Sequence, residues 1–150
     1  MEQGGTEKLR WSDFTRRIVA ACIEVHRHLG PGLLESTYEH CLARELGLRG
    51  FRIQRQVAIP LEYKGLDLDC GYRLDLVVES RVVVEVKAVE RLLPVHLAQV
   101  ITYLKLLRLP VGILVNFHVP VLREGLRRLV NPTVDPSVSP FLPVHLSDPR

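Results

Sequence analysis

The chain has 150 residues, 47% of them hydrophobic and 25% charged, with a net charge of +3. That is long enough for one domain burying roughly 70% of its unfolded surface, and the composition is that of a globular protein rather than a disordered or fibrous one. No apolar run approaches the ~18 to 20 residues of a membrane span, and Met1-Glu2-Gln3-Gly4-Gly5 does not read as a signal peptide, so neither a membrane partner nor secretion is expected.

In chain order, Ser12 is expected to cap a helix from Asp13 to about Leu29, with Phe14, Ile18, Ala21, Cys22 and Val25 on its apolar face. Gly30-Pro31-Gly32 should stop it. A second helix is expected from about Leu34 to Leu46, with Glu35 in the first turn, where the helix dipole favours an acid. Phe51 to Leu61 alternates as a strand, and Tyr63-Lys64-Gly65 is turn chemistry. Leu68 to Val78 and Val82 to Val89 suggest a hairpin around Glu79-Ser80-Arg81. Pro94 then opens a helix to about Arg108, Pro110 to Asn116 reads as a strand, and Val121 to Val130 as a strand or short helix. The order predicts an α/β fold, a mixed central sheet flanked by helices, within one domain spanning 1–131. Residues 132–150 are proline-rich and aperiodic, which predicts an irregular tail. Cys22, Cys41 and Cys70 are odd in number and set in apolar stretches; they predict reduced thiols in a cytoplasmic protein.

The residues that carry chemistry lie in the hairpin. Asp75 is followed by nine residues and then by Glu85-Val86-Lys87, so an acid and a Glu-x-Lys pair fall on two adjacent apolar strands. Charges placed where a sheet buries hydrocarbon cost several kcal/mol unless paired, hydrogen-bonded or bound to a metal. Side chains alternate along a strand, so Glu85 and Lys87 share one face, and Asp75 should share a face with Val77, opposite Leu74, Leu76 and Val78. A two-residue turn would set Asp75 against Val84 and put the faces out of phase. A three-residue turn, or one bulge, pairs it with Glu85 and aligns both apolar faces, so burial favours the register that clusters Asp75, Glu85 and Lys87. Two carboxylates brought that close seek a hard cation such as Mg2+. A plain salt bridge of Lys87 with either acid is the alternative.

These residues resemble the PD-(D/E)xK nuclease superfamily. Gln99-x-x-x-Tyr103 is similar to the Q-x-x-x-Y helix motif of its RecB-like exonuclease branch. Gly32-x-x-Glu35-x-x-Tyr38 resembles the signature of the GxxExxY family of small bacterial proteins in that superfamily. The similarity covers roughly residues 8 to 131. It implies a restriction-endonuclease-like core, with a mixed four- or five-stranded sheet and helices on both sides. It also implies Mg2+ or Mn2+ as cofactor and nucleic acid as partner, DNA ahead of RNA. By the same resemblance Asp75 and Glu85 would be metal ligands, with the Val86 carbonyl a third. Glu35 would help hold the metal or its water, Lys87 would position the nucleophile, and Gln99 and Tyr103 would contact substrate. The superfamily's nominal proline before the first acid is Leu74 here.

Other signals are weaker. His26 and His28 are two apart on a helix, point to different faces and make a poor metal pair. His96 reads as a residue at the start of a helix. Arg44, Arg49, Arg52 and Arg55, with Arg123, Arg127 and Arg128, could follow phosphates or simply be solvated. Two further function classes stay open: a non-catalytic nucleic-acid- or protein-binding module on a nuclease fold, and a homodimer built through the tail or a sheet edge.

Overall fold

The computed structural model describes residues 2–69, 71–134 and 141–142, with side chains over residues 13–69 and 71–134. Helices α1 (Glu2–Leu29) and α2 (Glu35–Leu48) come first. Strands β1 (Ile53–Ala58), β2 (Leu61–Tyr63), β3 (Leu66–Leu68), β4 (Arg73–Val78) and β5 (Val82–Lys87) follow. Then come helix α3 (Pro94–Leu107), strand β6 (Val111–Asn116), a 3-10 turn (Leu122–Gly125) and strands β7 (Leu126–Val130) and β8 (Phe141–Leu142).

The central sheet has the order β1-β4-β5-β6-β7, with the two-residue β8 on the β7 edge. Among the described residues only β5 and β6 run parallel, and α3 supplies the crossover that a parallel pair needs. Together with helices on both faces, this is the mixed α/β architecture of a restriction-endonuclease-like fold. Strand β5 is central and covered on both sides, so its Val-Val-Val-Glu-Val run is buried throughout. On one face Val82, Val84, Val86, Ile113 and Val115 pack beneath Ile18, Cys22, Leu42 and Leu46 of α1 and α2. On the other, Val77, Val83, Leu114 and Leu129 meet Val100, Ile101 and Leu104 of α3.

Two expected boundaries change. Helix α1 begins at Glu2 and not at Asp13, so Ser12 is an internal residue; the Glu7-Lys8-Leu9-Arg10 run consists of strong helix formers, which outweigh a cap signal. The long strands expected at Phe51–Leu61 and Leu68–Val78 are each cut. Pro60, which has no N–H to give, ends the first, and an Asp69 carboxylate accepting from the Gly71 N–H (3.3 Å) turns the chain before β4. Between these breaks β2 and β3 form a separate hairpin around Lys64 and Gly65, both at positive φ. The expected strand or short helix over Val121–Val130 is both: the 3-10 turn, then β7. Cys22 and Cys41 are free thiols; Cys70 and most of the 132–150 tail lie outside the described residues.

Tyr38 fixes how α1 enters α2. It is fully buried, donates to the Gly30 carbonyl (2.5 Å), accepts from the Leu33 N–H (3.1 Å) and stacks on Phe117 at 4.5 Å. His26 is likewise engaged rather than solvated, with Nε2 at 2.8 Å from the Val119 carbonyl oxygen. At the far side Gly125 lies so close to the Asn116 carbonyl that a Cβ there would come within 2.2 Å of the oxygen. A Gly125→Ala chain is therefore expected to lose about 2 to 4 kcal/mol, measured by urea denaturation against the parent protein.

Candidate active site

The turn between β4 and β5 decides the site. Glu79 and Ser80 both adopt positive φ (52° and 54°), giving the three-residue reversal Glu79-Ser80-Arg81. The ladder then pairs Val78 with Val82, Val77 with Val83 and Leu76 with Val84. The next rung is Asp75 opposite Glu85, and there the ladder stops. The main-chain groups are satisfied by side chains instead: the Asp75 N–H donates to Glu85 Oε1 (2.9 Å) and the Val86 N–H to Asp75 Oδ2 (2.8 Å). Each acid thus fills the gap left by the splaying strands, and the two carboxylates are held against each other by the backbone.

On the other side of β4 the pairing with β1 skips the same rung. Arg55 pairs with Leu76 and Val57 with Leu74, while Gln56 between them sits at φ 51°. This local break corrects the expected alternation. Leu74 packs on the α3 side, whereas Leu76 and Val78 pack on the α1–α2 side. Regular pleating cannot place residues two apart on opposite faces; the irregular rung at Gln56 and Asp75 does. It also turns Gln56 toward α2, where Nε2 donates to Glu39 Oε1 (2.6 Å) and reaches Asp75 Oδ1 at 3.4 Å. Glu39 Oε2 in turn accepts from Arg55 (2.9 Å).

Helix α2 brings a second acid. Glu35 Oε2 accepts from the Ala88 N–H just past the end of β5 (3.3 Å), so the helix start and strand end are tied together. Lys87 Nζ stands 4.0 Å from Glu85 Oε2, a distance at which it only partly offsets the charge. From the opposite face α3 presents Tyr103, buried and close enough to Glu85 and Asp75 to feel their charge, with Gln99 bonded to its hydroxyl. The exposed Tyr72 ring lies 6.5 Å from the Tyr103 ring. His96 does not join: its Nδ1 accepts from the Leu93 N–H (2.9 Å) and caps α3.

The electrostatics are those of acids short of a counter-charge. Burial pushes Glu85 up to about 8, with the neighbouring Asp75 charge adding to it. Burial likewise pushes Asp75 up to about 6, aided by the charges of Glu39 and Glu35 and opposed by the Val86 N–H. Tyr103 is raised as well, by burial first and then by Glu85. Such shifts mark places where a cation or a proton is wanted.

The structure therefore brings Asp75, Glu85, Val86, Lys87, Glu35 and Tyr103 to one end of the β4–β5 pair, with Gln99 behind the tyrosine. It adds Glu39 and Gln56, which sequence reading gave no role. Glu39 was within reach of it, being one helical turn beyond Glu35 on the same face. Gln56 carries no sequence signal, since its place depends on a backbone φ. Among the described residues no three acidic, histidine or cysteine side chains converge into a closed metal cage. Mg2+ and Mn2+ ask for less, because one or two carboxylates with waters and substrate oxygens suffice for such a cation. The all-oxygen chemistry of Asp75 and Glu85 fits that demand.

No match was found among curated proteins or among solved structures. Among the described residues no helix is long and apolar enough to cross a membrane. A family model described as the PD-(D/E)XK nuclease superfamily matches residues 12–129, from the middle of α1 to the penultimate residue of β7. That span takes in the later part of α1, all of α2, the splayed hairpin and the Gln99–Tyr103 helix, and on it the chain belongs to the PD-(D/E)XK nuclease superfamily.

Proposed function

We propose that this chain is a divalent-cation-dependent phosphodiesterase of the GxxExxY type, cytoplasmic, that hydrolyses nucleic acid, DNA ahead of RNA. The observation that carries the reading is the meeting of the buried Glu85 and the half-buried Asp75, both pushed toward the protonated form, beside a half-buried lysine at the splayed end of β4 and β5. A protein gains no stability from that arrangement; a bound cation would remove its cost.

In this reading Asp75 and Glu85 hold the cation, with the Val86 carbonyl as a further oxygen and Glu35 steadying it or a water from α2. When bound, Mg2+ or Mn2+ supplies Lewis-acid polarisation of the phosphoryl group and a more acidic water. The chain's own contribution is positional. Lys87 orients the attacking water and offsets the negative charge that builds on the phosphoryl oxygens. The main-chain N–H groups of Asp75 and Val86 fix the two carboxylates, so little reorganisation is needed when substrate arrives. Gln99 and Tyr103 contact the substrate from α3. Water adds to phosphorus as the P–O ester bond breaks; the attacking water releases a proton to solvent, and the leaving alkoxide takes one up from solvent.

The test is cleavage of single- and double-stranded DNA and RNA with Mn2+, alongside calorimetric titration of Mn2+ into the protein. Cutting is expected in the parent chain. Lys87→Met should keep cation binding and lose about 10² in rate, because the ligands stay and the charge does not. A parent protein that binds no divalent cation and leaves every nucleic acid intact defeats the proposal in favour of a non-catalytic binding module.

A further inference from the structure

Two aromatic rings are exposed among the residues whose side chains are described, Tyr63 and Tyr72. Tyr63 sits in the β2–β3 hairpin with the Lys64 ammonium 5.4 Å from its ring centroid. Tyr72 has a different setting. It lies three residues before Asp75, about 10 Å along an extended strand. Its backbone is anchored: Gly71 turns the chain before it at φ 73°, and the Tyr72 carbonyl accepts from the N–H of the buried Ile59 (3.0 Å). Its ring meets that of Tyr103 at 6.5 Å and 50°. Leu74, two residues on, packs in the same α3-side core as Tyr103, so the ring follows the face that its strand neighbour sets. Tyr103 in turn is close enough to Glu85 and Asp75 to feel their charge. One buried tyrosine therefore adjoins both the acids and the Tyr72 ring. The tilted contact covers only part of that ring, and Tyr72 keeps 48% of its surface exposed.

We infer that Tyr72 stacks on an unpaired base of the strand being cut, and so selects single-stranded nucleic acid over intact duplex. The inference rests on the nuclease reading for its substrate class and names the form of that substrate. A phenol has no charge to offer a phosphate, but its π face suits a base, and such stacking tolerates any sequence because every base has a π face. Inside a duplex both faces of a base are covered by its neighbours, so a face is open only in a single strand, a loop or an end. A tyrosine is also an economical platform, since only two side-chain torsions need fixing and here the backbone is already held. The spacing sets the position of the stacked base. About 10 Å from Tyr72 to Asp75 equals about three steps at a rise of about 3.4 Å per nucleotide. The base that stacks therefore lies within about three nucleotides of the phosphate held at Asp75 and Glu85.

The test compares the parent chain with Tyr72→Ala and Tyr72→Trp, with melting followed by circular dichroism. Tyr72→Leu, which keeps an apolar contact for Tyr103 but no π face, takes the place of the alanine variant if that one melts early. Fluorescence anisotropy is measured across a salt series with Ca2+ in place of Mg2+. The probes are a labelled single strand, a GC-rich duplex of the same length, and a strand of that length that is abasic throughout. Tyr72→Ala is expected to lose about tenfold or more in affinity for the single strand. The duplex and the abasic strand should bind it as they bind the parent, and Tyr72→Trp should hold the single strand at least as well as the parent does. The slope of log K against log salt should not change, because no phosphate contact is lost. Unchanged single-strand affinity in Tyr72→Ala overturns the inference. So do equal losses on all three probes, a flattened salt slope, or a tryptophan variant as weak as the alanine one, since each would make Tyr72 a support for Tyr103 or for the backbone grip and not a base platform. Cleavage with Mn2+ is scored separately, so the two readings fail separately. A chain that cuts nothing but shows the single-strand loss keeps this role for Tyr72, and one that cuts while Tyr72→Ala binds like the parent keeps only the nuclease.

Discussion

Asp75→Asn is expected to abolish divalent-cation binding and to lower phosphodiester cleavage by about 10²- to 10³-fold or more, while leaving the chain folded. The fold should survive because the asparagine side-chain oxygen can still accept from the Val86 N–H, now at 2.8 Å from Asp75 Oδ2. What is lost is the charge. With Asp75 neutral, Glu85 no longer feels the neighbouring charge that helps to hold it protonated, so it ionises at lower pH. One carboxylate is then left where two met, with Lys87 beside it, and a lone ion pair has far less need of a dication. Calorimetry with Mn2+ and single-turnover cleavage on the same preparation check the two halves of this result. Binding that persists in Asp75→Asn would place the cation elsewhere than on the splayed rung.

How far the sequence could be read follows from which features are periodic. The Val-rich β5, the helical apolar faces of α2 and α3, and the stop at Gly30-Pro31-Gly32 all obey simple periods or breakers, and the sheet with helices on both sides follows from their order. The register of Asp75 against Glu85 was also legible, because a three-residue turn or one bulge aligns both apolar faces whereas a two-residue turn does not; the structure forms the three-residue turn at Glu79-Ser80-Arg81. What was not legible depends on backbone torsions. Positive φ at Gln56 breaks the alternation at Asp75, sends Leu74 to the α3 side and delivers Gln56 to Glu39. A glutamine is no turn signal, so nothing in residues 55–57 announces this. The early start of α1 escaped for the opposite reason: Ser12 is a good cap residue, but capping contributes only about 1 kcal/mol and yields to a helix-forming run before it. The charged residues followed the same division. Asp75, Glu85 and Lys87 stood out because they interrupt apolar strands, whereas Glu39 lay on a mostly polar helix, where charge is ordinary.

The same geometry predicts a trade between stability and cation binding that Glu85→Gln should expose. Glu85 is raised to about 8 and Asp75 to about 6, both above their ordinary values of 4.5 and 3.8. The folded chain therefore keeps protons that the unfolded chain has already shed. Stability from these groups is full below about pH 4 and drains away as pH rises, through about 6 for Asp75 and about 8 for Glu85, at up to about 1.4 kcal/mol per pH unit for each group. Replacing Glu85 by glutamine keeps an oxygen for the Asp75 N–H and removes the ionisation. At pH 8 in EDTA the variant is expected to melt about 4 to 10 °C above the parent; at pH 5 the two should coincide. Mg2+ reverses the order. Binding must displace the retained proton, so the parent should gain affinity from pH 6 to 8 and be stabilised by added Mg2+, while Glu85→Gln should not respond. Thermal melts at the two pH values, each with and without 10 mM Mg2+, read all four corners. A variant no more stable than the parent at pH 8 would mean that Lys87, 4.0 Å from the carboxylate, already compensates the charge. The acids would then need no cation, and the hairpin would be an ordinary salt bridge on a nuclease fold.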